Sequence, residues 1–153
     1  MKLTVISMGQ KMPDWLSAGW QVYARRMPAG LSLTLQAMPV AGKQARLSAQ
    51  SSALLKHSAG SHRVALDMRG QAWSTELLAE QLQDWQQLGR DVAFLLGGAD
   101  GLQPAVLQAA DQCWSLGPLT FPHMLVRVLL AEQLYRAAMI LQGHPYHRSG
   151  QPR

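Results

Sequence analysis

The residues with the widest chemical repertoire gather near the end of the chain. After the helix breaker Gly143 comes His144-Pro145-Tyr146-His147-Arg148. Two imidazoles, a phenol and a guanidinium can bind phosphate, stack on a base or carry a proton near neutral pH. The bland alternative is a solvated terminal segment. The histidine spacing fits no standard metal motif, so no metal is expected. Upstream, Glu132 and Arg136 stand four apart with the acid first, the favourable order for a helical ion pair. Arg127 lies among apolar residues and requires a partner or a ligand, because a buried charge is costly when nothing pairs with it. His123, at a helix start, reads as a ligand contact or as an ordinary surface histidine.

Two loops have the composition of ligand loops. Gly97-Gly98-Ala99-Asp100-Gly101 lies between an apolar strand and a helix, where ligands of open α/β sheets bind. Glycines there let backbone approach a ligand closely. The pattern is not GxGxxG, so a dinucleotide fingerprint is a weak match, and a plain tight turn competes with it. The second loop, Ser115-Leu116-Gly117-Pro118-Leu119-Thr120-Phe121-Pro122-His123, is stiffened by two prolines and carries Leu116, Leu119 and Phe121 where loops are normally polar. A rigid apolar loop suits a flat ring such as adenine, with backbone groups reading its edge. The competing reading is a loop packed over the core.

Elements that alternate along the chain must position these loops. Leu3–Met8 reads as a strand, followed by a helix from an N-cap at Asp14 to Arg26. Leu31, Leu33, Leu35 and Ala37 alternate with polar residues as a half-buried strand does. Residues 43–60 could be helical, with poor amphipathicity. Arg63–Asp67 is a third strand, turned by Arg69-Gly70. A helix capped by Ser74 or Thr75 presents Leu78, Leu82, Trp85 and Leu88 and ends at Gly89. Val92–Leu96 is wholly apolar, as a strand covered on both faces should be. Helix 103–110, strand 113–116 and helix 123–141 complete the chain. The expected class is α/β with a mostly parallel sheet flanked by helices, in a single domain over 1–153 whose last residues, 149–153, form a disordered extension. The last helix has almost no polar face and needs cover on both sides. A second subunit supplies it in one reading, making a homodimer, and a central core position does so in the other. The tryptophans, Trp15, Trp20, Trp73, Trp85 and Trp114, read mainly as core or interface anchors.

Charge narrows the partner. The 153 residues carry 14 Lys and Arg against 9 Asp and Glu, a net +5. Residues 1–66 hold all but six of the bases and, apart from Asp14, none of the acids. An anionic partner should therefore meet the first half and the C-terminal end rather than the middle. A lone Cys113 excludes an intramolecular disulfide framework and a Cys-cluster zinc site. No apolar run is long enough to cross a membrane, and the opening run is too short and wrongly flanked for a secretory signal. The compartment reads as cytoplasmic.

The motifs in this order resemble a small branch of the SPOUT methyltransferases, the ribosomal RNA large subunit methyltransferase H family. The resemblance covers nearly the whole chain. It rests on Gly9-x-Lys11-Met12-Pro13-Asp14-Trp15, Tyr23-x-Arg25-Arg26, Gly89-Arg90-Asp91-Val92, Leu96-Gly97-Gly98-x-x-Gly101-Leu102 and Trp114-Ser115-Leu116. It continues through Leu119-Thr120-x-Pro122-His123, Leu125-Val126-Arg127-Val128-Leu129, Glu132-x-Leu134-Tyr135-Arg136-Ala137 and His144 to Arg148. It implies S-adenosylmethionine-dependent methylation at N3 of a pseudouridine in helix 69 of 23S rRNA within the 70S ribosome, by a homodimer with a deep C-terminal trefoil knot. No membrane or DNA partner is implied. Carried over by motif, the cofactor would meet Leu66, Gly97, Gly98 and Leu116, Gly117, Pro118, Leu119, Thr120, Phe121 and Pro122. Tyr146, His147 and Arg148 of one subunit would complete the pocket of the other, with Glu132 and Arg136 as further catalytic candidates and His147 the favoured base. This chain departs from the family in reading Ala99-Asp100 where Pro and Glu are common, in a charge-poor 43–60 segment, and in its 149–153 extension. Two other functions compete, a non-catalytic ribosome- or RNA-binding module motivated by charge and a nucleotide-dependent oxidoreductase motivated by the glycines.

Overall fold

The computed structural model describes residues 1–39, 46–98 and 100–148, with the side chain of Arg46 also left aside. Lys43, Ala99 and the 149–153 extension lie outside the described residues, as does the start of the helix expected from residue 43. Five strands, β1 (Lys2–Met8), β2 (Ser32–Met38), β3 (His62–Ala72), β4 (Val92–Leu96) and β5 (Gln112–Ser115), form one sheet in the order β2-β1-β4-β3-β5. Every pairing within it is parallel. The helices are α1 (Asp14–Ala24), α2 (Arg46–His57), α3 (Thr75–Leu88), α4 (Pro104–Ala109) and α5 (His123–Leu141).

Side-chain alternation divides the core between the two faces of the sheet. Leu3, Val5, Val64, Phe94 and Leu96 join Trp20, Leu82, Trp85, Leu130 and Leu134 in the larger cluster beneath α1, α3 and α5. Ile6, Met8, Ala65, Ala93 and Leu95 meet Leu54 of α2 and Val106 of α4 on the other face. Because β4 feeds both clusters, its five residues are all buried, which is why that strand is apolar without alternation.

Three details correct the sequence reading. Asp14 is the first residue of α1 rather than its cap; Pro13 holds the cap position and the acid sits in the first turn, where the helix dipole favours it. Strand β3 does not turn at Arg69-Gly70. It continues to Ala72 after an irregularity, pairing with β5 through Leu66↔Trp114 before it and Gln71↔Trp114 after it. Residues 67–70 bulge out between these pairings. Trp15 is 69% exposed, so it is no core anchor of its own chain, and only the interface half of its reading stands open. At the other end of α3, Ser74 Oγ accepts from the Leu77 amide at 3.1 Å and Gly89 terminates the helix in the left-handed conformation, as its sequence predicts.

Helix α5 packs against both α1 and α3. Eight of its residues are buried by this chain alone, including Leu130, Leu134 and Tyr135. Close approach of α1 depends on Gly19, where a Cβ would lie 3.2 Å from Val128 Cγ1. On the outer face Leu125 and Leu129 remain half-buried.

Candidate active site

The C-terminal ends of β4 and β5 and the bulged middle of β3 open onto a cavity of about 410 Å³, within the range that holds a small molecule. Its walls are the β3 bulge, the glycine loop and the apolar loop after β5. Eight of the ten positions expected to meet a cofactor line it: Leu66, Gly97, Gly98, Leu116, Gly117, Leu119, Thr120 and Phe121. Pro118 and Pro122 are not among the lining residues. Pro122 instead caps α5, and its carbonyl accepts from the amides of Leu125 and Val126. The cavity also takes Asp67, Met68, Arg69, Trp114, His123 and Val126. Asp67 to Arg69 were hidden in the sequence because a strand continuing through a bulge has no hydrophobic period of its own.

Backbone packing shapes these walls. A Cβ on Gly97 would lie 2.4 Å from Gly101 O, and the loop is closed by Gly101 N–H donating to Gly98 O at 3.0 Å. A Cβ on Gly70 would lie 2.5 Å from both C and O of Cys113, so only glycine lets β3 pass β5 this closely. The apolar loop is tied at its start, where Gly117 N–H donates to Ser115 Oγ at 3.1 Å.

In the bulge, Asp67 Oδ1 accepts from both Nε and the backbone amide of Arg69, at 2.7 and 2.9 Å, and Oδ2 accepts from its Nη2 at 3.0 Å. The guanidinium holds the Asp67 carboxyl below the usual carboxylate range and is itself raised by the pairing. Neighbouring Cys113 is pushed up, first by burial and then by the Asp67 charge. A thiol held protonated is a poor nucleophile.

The terminal residues form a second constellation, docked onto α5 and α3. Arg136 Nε donates to Glu132 Oε1 at 2.8 Å, Tyr146 OH donates to the same oxygen at 3.2 Å, and the guanidinium lies 4.7 Å from the Tyr146 ring centroid. His147 bridges Arg136 Nη1, at 3.2 Å from Nδ1, and Glu76 Oε1, at 2.9 Å from Nε2. A guanidinium only donates, so Nδ1 must accept and Nε2 must carry the proton given to Glu76. Burial and then the Glu132 charge push Tyr146 up to about 12, leaving it a neutral phenol at physiological pH. The solvated-tail alternative therefore does not hold for Tyr146 and His147, whereas His144 and Arg148 are exposed. Within one chain none of Glu132, Arg136, Tyr146, His147 or Arg148 lines the cavity. Glu132 lies nine residues beyond His123 on α5, roughly 14 Å along the helix axis.

Arg127, whose partner the sequence could not name, is fully buried and has no carboxylate partner among the described residues. Its Nε donates to Ser7 Oγ at 3.0 Å, and Nη2 donates to the carbonyls of Met8 and Gly9 at 3.0 and 2.7 Å. Burial lowers its pKa. It secures the β1–α1 loop to the helix whose first turn lines the cavity.

An all-parallel sheet with a loop-walled cavity at its carboxyl edge is the setting of a cofactor-dependent α/β enzyme. The family model described as "Predicted SPOUT methyltransferase" matches residues 1–147, and the chain belongs to the SPOUT methyltransferase family. It is 51% identical to the ribosomal RNA large subunit methyltransferase H of Alkalilimnicola ehrlichii, over 97% of this chain and 100% of that one. It is 47% identical to the protein of the same name from Hahella chejuensis, over 97% and 99%. Among solved structures, a probable methylase family protein from Haemophilus influenzae shares the fold with a TM-score of 0.59 at 11% identity, covering 99% of this chain and 71% of that one. A putative methyltransferase from Legionella pneumophila, solved with bound SAM, aligns with a TM-score of 0.50 at 11% identity, covering 92% and 66%.

Proposed function

We propose that this protein is an S-adenosylmethionine-dependent methyltransferase of large-subunit ribosomal RNA, acting at N3 of a pseudouridine in helix 69 of 23S rRNA within the 70S ribosome. The observation that carries the reading is 51% identity over 97% of the chain to a protein named for large-subunit rRNA methylation. The atomic position, the helix and the assembled ribosome come from the motif resemblance. The compartment on this reading is the cytoplasm, where ribosomes work.

The cavity suits the cofactor by its chemistry. Apolar side chains of Leu66, Leu116 and Phe121 offer faces for an adenine ring, and loop backbone offers donors and acceptors. Among the described lining residues the one guanidinium, Arg69, is paired with Asp67, so its charge does not oppose a sulfonium. Leu66, Gly97, Gly98, Leu116, Gly117, Leu119, Thr120 and Phe121 would hold the cofactor, which when bound supplies an activated methyl group. On this reading the cofactor site lies in a deep C-terminal trefoil knot, within a single SPOUT domain.

The protein must orient the nucleotide and help the imide proton leave N3. We assign this to the terminal constellation of the partner copy, because Tyr146, His147, Arg148, Glu132 and Arg136 lie away from the cavity of their own chain. The proton-accepting atom is His147 Nδ1, freed when the Arg136 guanidinium turns to the nucleotide phosphate. Two copies pair through the outer face of α5, where Leu125 and Leu129 are half-buried, and the adjoining face of α1, where Trp15 and Val22 are exposed. Calorimetry with S-adenosylmethionine, then mass spectrometry of 23S rRNA from treated 70S ribosomes, tests the reading. Absence of cofactor binding refutes it, and salt-sensitive ribosome binding without an added methyl identifies a non-catalytic binding module instead.

A further inference from the structure

We infer that Arg69 is a positioning residue for the cofactor: it clasps two lips of the cavity, the β3 bulge and the glycine loop, and so controls how long the cofactor stays. The inference rests on the reading of this cavity as the methyl donor's site.

The geometry is that of a fork with a third tine. Nε and Nη2 of Arg69 engage both oxygens of Asp67, and Nη2 also donates to Leu102 O at 3.2 Å. Leu102 follows the glycine loop and is buried, whereas Arg69 itself is largely exposed. The Asp67 side chain is only 9% exposed and also accepts the Arg69 amide, so the acid defines the bulge and the guanidinium spans from it to the loop. Each lip is internally stiff. The glycine loop is closed by its Gly98–Gly101 bridge, and the bulge is pinned at Gly70 against the backbone of β5. What the two lips need is a tie to each other. An arginine serves where a lysine would not, because a planar fork can satisfy a carboxylate and a carbonyl together whereas an ammonium is a point donor.

The clasp also sets the charge seen by a ligand. Asp67 lines the cavity, and with Arg69 in place its charge is neutralised. Without Arg69 an unmasked carboxylate would favour the sulfonium cofactor over its neutral thioether product. Loss of a clasp weakens both ligands alike, while loss of a mask alone tightens the charged one.

The experiment is calorimetry of the full-length protein with S-adenosylmethionine and, separately, S-adenosylhomocysteine, for wild type, Arg69→Ala, Arg69→Lys, Asp67→Asn and the double variant Asp67→Asn/Arg69→Ala. Arg69→Ala should weaken both ligands by about five- to twentyfold, as expected for a partly exposed charge-assisted hydrogen bond. Arg69→Lys should recover little of the loss, and Asp67→Asn/Arg69→Ala should be no worse than the poorer single variant. In the ligand-free protein, amide exchange at Gly101 and Leu102 should quicken in Arg69→Ala, while the melting temperature stays within a few degrees because surface-facing pairs contribute little to stability. At saturating cofactor, kcat should fall by less than about twofold, the change residing in KM. Unchanged affinity in Arg69→Ala, or tighter binding of the sulfonium alone, overturns the clasp. Failure of wild type to bind either ligand instead overturns the assignment of the cavity.

Discussion

Replacing Arg127 with Met tests whether a buried cation can act as a bracket for a loop. Methionine fills much of the space and removes the charge, so the change removes the bonds to Ser7 Oγ, Met8 O and Gly9 O together with the weaker one from Nη1 to Met12 Sδ at 3.8 Å. The serine hydroxyl can rotate to another acceptor; the two carbonyls cannot. Each loses a charge-assisted partner in a buried setting, at about 1–3 kcal/mol apiece. Against that, a guanidinium no longer has to be stripped of water, a cost of several kcal/mol that the bonds now offset. The net expectation is a loss of up to about 3 kcal/mol, or up to roughly 10 °C in melting temperature for a chain of this size. Arg127→Lys keeps the charge but cannot reach all three acceptors, and should fall between. Thermal and urea unfolding give the magnitude, and amide exchange across residues 9–12 should quicken more than exchange in β4. A melting temperature equal to or above wild type for Arg127→Met would refute the bracket and show that burial of the cation is a net burden.

Titration followed by phenolate absorbance should show a step near pH 12 that Tyr146→Phe removes. The folded value lies above the ordinary 10.0, so the contribution of this phenol to stability is complete below pH 10 and fades as pH rises from 10 toward 12. Gly70→Ala would place a methyl 2.5 Å from the backbone of Cys113, where neither strand can yield, and should cost at least about 3 kcal/mol by urea unfolding or prevent folding. Truncation before His144 should abolish methyl transfer while calorimetric cofactor affinity stays within about threefold; full activity would remove the terminal residues from the reaction.

Legibility of the fold followed local periodicity. Strand β4 and helix α3 could be placed because an unbroken apolar run and a capped amphipathic stripe each leave a local pattern. The bulge at Asp67 to Gly70 left none, since its shape depends on a neighbour more than forty residues away in β5, and Arg69-Gly70 passed for a turn. The glycine and proline loops stood out by composition, and both wall the cavity. Arg127 announced a need without naming its partner, because backbone carbonyls carry no sequence signature. Likewise, no local rule joins Glu76 to His147; only the packing of α3 beside α5 brings them together.

The most direct test of the central claim is to incubate 70S ribosomes lacking the modification with the protein and isotopically labelled S-adenosylmethionine, then locate the label by mass spectrometry of nuclease fragments of 23S rRNA. One labelled methyl on N3 of a helix 69 pseudouridine is the expected result. Label at another nucleotide, or none in ribosomes under conditions where the protein binds the cofactor, would contradict it.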